Sequence, residues 1–130
     1  MRRLVVGAVG LLIVVAMSYT ATSAYAVKEF KEQFEAKYTK PQGRKRPNPN
    51  LVRAVAAAQC RICHPGDDKH KLNAYAAQIG QHVNQFDKAK TERILEAFEQ
   101  VSKRRSDPFD PSSPTFGELI KKGHLPVDTE

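Results

Sequence analysis

The sequence predicts an all-α protein, and three observations carry that expectation. No stretch alternates polar and apolar residues with the period of two that a half-buried strand needs. Apolar residues recur instead three, four and seven positions apart, which lines one face of a helix. Helix start and stop signals bracket the apolar segments, with Asn50, Asp87 and Thr115 ahead of them and Gly123 behind. At 130 residues the chain allows one small domain and excludes a two-domain enzyme. Its 27% charged and 41% hydrophobic residues make an ordinary globular balance. The average hides an asymmetry, because the apolar residues crowd the N-terminus.

Residues 1–26 are expected to be a secretory signal peptide. Met1-Arg2-Arg3 is a cationic start, Leu4 to Met17 are fourteen uncharged residues, and Ala24-Tyr25-Ala26 is a small-residue cleavage site. As a helix those fourteen residues span about 21 Å, against roughly 30 Å for a bilayer core. An uncleaved anchor needs the helix to run on through Ser18, Thr20, Thr22 and Ser23. Cleavage leaves 104 residues, lowers the net charge from +7 to +5 and removes Met1 and Met17, the only methionines. The mature protein is therefore expected in the periplasm or an equivalent compartment outside the cytoplasm.

Residues 27–40 form an amphipathic helix, with Val27, Phe30, Phe34 and Tyr38 on one stripe between Lys and Glu. It has three docks open to it: the domain that follows, a partner subunit, or a membrane. Residues 41–50, PQGRKRPNPN, hold three prolines and no apolar side chain, and are expected to be a basic linker. From Lys37 to Arg53 there are six cations and no acid, a solvated run or a docking patch for an acidic partner or an anionic membrane. Without interleaved aromatics it gives no support to nucleic acid.

Residues 51–130 make the main domain. Asn50 caps a helix from Leu51 towards Cys60. After the polar turn HPGDDKHK a second helix runs from Leu72 to Phe86, burying Leu72, Tyr75, Ala76, Ile79, Val83 and Phe86. A third runs from Lys88 to Lys103 behind Asp87 as cap, with Ile94, Leu95, Phe98 and Val101 inward. Three prolines make residues 106–114 a loop, and Thr115 to Glu118 is a capping box opening a short helix that stops at Gly123.

One motif carries chemistry. Cys60-Arg61-Ile62-Cys63-His64 is C-x-x-C-H, the attachment signature of haem c. Two thiols three residues apart reach two vinyl groups on one edge of a porphyrin, and the next residue's imidazole falls under the iron. Three other readings stand beside it. A thioredoxin-like pair lacks the βαβ context it needs. A zinc site from Cys60, Cys63, His64 and His70 has an unusual adjacent Cys-His. A plain disulfide leaves His64 unexplained.

With this motif behind a signal peptide, residues 51–126 resemble the small single-haem c-type cytochromes. The resemblance rests on a helix leading into Cys60-Arg61-Ile62-Cys63-His64, later helices, and Gly123-His124-Leu125-Pro126. It implies one covalent haem c held by Cys60 and Cys63, His64 as proximal iron ligand, and a helical cage around the macrocycle. In the commonest class a Met shortly before such a Pro binds the far side of the iron, and a long helix follows. Here that Met is missing and only four residues follow Pro126.

The distal ligand is thus left among His124, His82, His70, a lysine and water. His124, sixty residues past His64, occupies the loop where the familiar class places its ligand. His82 stands three residues after Ile79 on a buried stripe. Two protein ligands imply an electron carrier, not an enzyme, serving redox partner proteins that an acidic surface would suit. An open iron implies a ligand-binding haem protein, a gas sensor or a peroxidase-like catalyst.

Overall fold

The structure is a computed structural model and describes residues 28–127. The expected signal peptide, residues 1–26, lies outside the described residues. Among those described there are five α-helices, two 3-10 turns and no strand, in keeping with the all-α expectation. The helices are α1 (Lys28–Tyr38), α2 (Pro49–Ala58), α3 (Ala74–Ile79), α4 (Thr91–Ser102) and α5 (Phe116–Lys122). One 3-10 turn, Gln59–Ile62, follows α2 and the other, Gln85–Asp87, precedes α4.

Helix α4 is the hub, because Ile94, Ala97, Phe98 and Val101 recur at helical spacing and all are buried. It packs against α1, α3 and α5. Helix α1 settles its own docking question by folding onto this core. Phe30 and Phe34 are buried, and the Phe34 ring meets Phe98 at 6.0 Å and Tyr75 at 5.9 Å, edge to face in both pairs. Lys37 adds an ion pair from α1 to Glu99 of α4. On the outer face Lys28–Glu32 and Lys31–Glu35 are i, i+4 pairs, each worth about 0.3–0.5 kcal/mol at most.

Residues 41–50 are more ordered than a linker. Gln42 and Lys45 exchange both backbone hydrogen bonds at 3.1 Å around Gly43, which has φ +60°. The Gln42 amide also donates to the Lys37 carbonyl at the end of α1.

The boundaries of three helices differ from the sequence expectation, each for a local reason. Helix α2 starts at Pro49, with Asn48 and not Asn50 as its cap; proline fits the first helical position, where no N–H is needed. Asn48 also donates to the Lys121 carbonyl at the far end of α5, so one side chain serves two helix ends. Helix α3 ends at Gly80, well before Phe86. Val83 still reaches the core, but Phe86 is 79% exposed.

The chain then closes a capping box between Asn84 and Asp87, which ends the second predicted helix and removes Asp87 from the start of α4. Helix α4 begins at Thr91 without a side-chain cap. Asp87 is buried, accepts from the Asn84 N–H and Lys90 Nζ, each at 3.1 Å, and lies 3.3 Å from Arg93. The Asn84 N–H, then the Lys90 ammonium, hold its carboxyl below the usual range. The predicted Thr115–Glu118 box is present, and α5 stops at Gly123 with φ +87°.

Candidate functional site

The motif hangs from the end of α2 in a turn of its own. Gln59 has φ +52°, a conformation that costs a non-glycine residue on the order of 1–3 kcal/mol, and it breaks the helix one residue before Cys60. The 3-10 turn that follows is held by His64 N–H and Cys63 N–H, both donating to the Cys60 carbonyl at 3.1 and 3.2 Å. Cys63 and His64 leave this turn just past its end, Arg61 and His64 both line the cleft described below, and Ile62, 1% exposed, pins the turn to the core.

His64 is buried, and its Nδ1 lies 2.6 Å from the Lys71 carbonyl oxygen. A carbonyl can only accept, so Nδ1 carries the proton, and in the neutral ring that leaves the lone pair on Nε2. In metal sites a bond of this kind to a carbonyl fixes the orientation of a ligating imidazole. The carbonyl is aimed by the loop between His64 and α3. Gly66 turns it with φ +56°, and Asn73 closes it. The Asn73 N–H donates to the Cys63 carbonyl and its amide to the Ile62 carbonyl, each at 2.9 Å. Its side-chain oxygen accepts the Ala76 N–H, capping α3.

His64 forms part of the wall of a cleft of about 670 Å³, inside the range of roughly 300–1,000 Å³ usual for cofactor pockets. Helix α2 contributes only small residues to its lining, Ala54, Ala57 and Ala58. Phe116 of α5 and the segment Leu125-Pro126-Val127 line it as well. The cleft is narrow in chemistry. Arg61 is its only cationic wall residue among those described, Asn73 is spent on the loop, and the Ser106 hydroxyl donates to the Pro114 carbonyl.

Both thiols are free, and neither forms part of the cleft wall. Cys60 is exposed; Cys63 is partly buried, and burial, with Cys60 beside it, pushes its thiol up to about 11. Among the described residues no group of three or more His, Cys, Asp or Glu is gathered to hold a metal ion. The four-residue zinc set is thus not assembled, and His70 is exposed. His82 is partly buried beyond the end of α3, with Nε2 lacking a partner, and is not on the cleft. His124 is exposed and also off the cleft, although its neighbours Leu125 and Pro126 line it.

The residues present fit a covalent macrocycle in three respects: a pre-oriented imidazole, two unpaired thiols in the preceding turn, and an apolar cleft beside them. Sequence reasoning singled out the thiols, His64 and the segment holding Leu125 and Pro126, but missed Asn73, the Lys71 carbonyl and Phe116. Asn73 had a legible signal, an Asn immediately before Ala74 and Tyr75, where a helix cap belongs. No protein-family model matches this chain, and no curated protein or solved structure matches it either.

Proposed function

We propose that the chain is an exported single-haem c-type cytochrome that carries electrons between redox partners. The observation that supports it best is His64, turned towards the cleft by the Lys71 carbonyl directly after two free thiols. Cys60 and Cys63 would hold the haem as thioethers. Each S–H would add across a vinyl C=C, sulfur to one carbon and hydrogen to the other, so attachment would need no oxidant. His64 Nε2 would hold the iron, and the bound haem would supply one-electron ferric–ferrous chemistry. The alanine face of α2 and Phe116 would exclude water from the macrocycle's faces.

A second reading has one observation in its favour. Apart from His64, no wall residue of the cleft among those described carries an imidazole, thioether, thiol or amine. An iron left open on that side would bind small gases or peroxide, and the protein would be a ligand-binding haem protein.

The test is the absorption spectrum of the protein produced with the c-type maturation machinery, oxidised and reduced, before and after carbon monoxide. A sharp low-spin reduced spectrum unmoved by the gas means a second protein ligand and a carrier, and points to His124 and His82 variants. A high-spin spectrum that shifts with the gas promotes the open iron. Absence of covalent haem overturns both readings.

A further inference from the structure

We propose that the surface built by residues 41–53 docks an acidic protein partner beside the haem cleft. The inference rests on the cytochrome reading for its purpose, but its binding chemistry stands on the surface itself. Between Ala36 and Gly66 the chain has seven cations and not one acid. Of those seven only Lys37 forms an ion pair among the described residues.

The remaining cations are displayed in an ordered way. The turn at Gly43 and Arg44 is closed by the paired Gln42 and Lys45 backbones and tied to α1 through Gln42. Pro47 and Pro49 stiffen the exit into α2. Arg53 is steadied by a 2.6 Å hydrogen bond from its guanidinium to Asn50 Oδ1. Arg44, Arg46 and Arg53 then line one concave surface floored by Pro41, Pro47 and Val52. Guanidinium groups grip carboxylates two-pronged, and a preset loop reduces the entropy lost on binding.

Position links this surface to the cleft. Arg53 and the cleft residue Ala57 are four residues apart on α2, one turn and about 6 Å along the axis. A partner seated on the arginines would abut the cleft wall.

The chemistry favours a protein carboxylate surface over lipid or nucleic acid. Interfacial binding wants large apolar side chains to insert, and single-strand binding wants aromatics to stack. The large exposed hydrophobic residues, Phe86 and Phe109, lie elsewhere in the chain.

The probe is fluorescent poly-L-glutamate, titrated with the full chain and followed by anisotropy at low and at physiological salt. The variant R44Q/R46Q/R53Q should weaken binding roughly tenfold, and salt should weaken the parent. The control K88Q/K103Q/K122Q removes the same charge from exposed positions and should cost less than about threefold. Equal losses in the two sets would reduce the effect to net charge and overturn the proposal. So would arginine-dependent binding to phosphatidylserine vesicles without binding to polyglutamate. Covalent haem is scored separately by its spectrum, so failure of docking and failure of the cytochrome reading are told apart.

Discussion

His64 owes its orientation to a carbonyl seven residues further on, and the two thiols before it differ in access. Cys60 is exposed, while the partly buried Cys63 thiol is pushed up to about 11. Haem-free protein treated with iodoacetamide at pH 8 should therefore alkylate at Cys60 well before Cys63, as peptide mass mapping will show. Equal rates would mean that the motif turn opens freely. With both sulfurs in thioethers neither should react. Asp87 offers a pH test at the same scale. Its depressed carboxyl contributes stability that is present above the ordinary carboxylate value of about 3.9 and lost as pH falls through the lower folded value. Asp87→Asn should lower the Tm at pH 7, and the gap to the parent should close towards pH 2.

Asn48 and Gly123 show how the ends of two helices were made to depend on each other. A Cβ on Gly123 would stand 2.7 Å from Asn48 Oδ1, and φ +87° is unfavourable for any side chain. Gly123→Ala should cost about 1–3 kcal/mol of unfolding free energy in urea. Asn48→Ala should cost about 1 kcal/mol as a lost cap. Because the residues touch, the double variant should lose less than the sum. Strict additivity would show that the two ends are independent. Gly117 works in a related way: a Cβ there would meet the Ser102 carbonyl oxygen at 2.9 Å, so the start of α5 lies close on the end of α4.

For the whole molecule the decisive contact is α1 on α4. Phe34 is 1% exposed and sits at the centre of an aromatic group with Tyr38, Tyr75 and Phe98. Phe34→Ala should destabilise the fold by about 3–5 kcal/mol. A chain starting at Asn48 should bind a hydrophobic dye and unfold without a sharp transition, since it bares the face of α4 that α1 covers. Retention of a cooperative transition by that truncation would show that α1 is an accessory arm. Tyr75 belongs to the same core and carries a cost there. Its hydroxyl is buried without a partner, and burial drives its ionisation well above the ordinary tyrosine value.

By itself the sequence determined which segments are helical and that no strand competes with them among the described residues, and it singled out the five residues of the C-x-x-C-H motif as the candidate site. The helices follow from local causes: apolar spacing and capping boxes such as Thr115 with Glu118. Helix ends were legible only where the cap was unambiguous. Asn48 outranked Asn50 because Pro49 fits the first turn, and Asn84 took Asp87 for its own box. Only the tertiary structure decided where α1 docks, which carbonyl orients His64, and which residues join it in lining the cleft. It also placed His82 and His124 off the cleft and set Arg53 one helical turn from the cleft residue Ala57. These depend on contacts between residues distant in the chain, such as Phe34 with Phe98, and periodicity along one segment carries no information about which segment lies opposite.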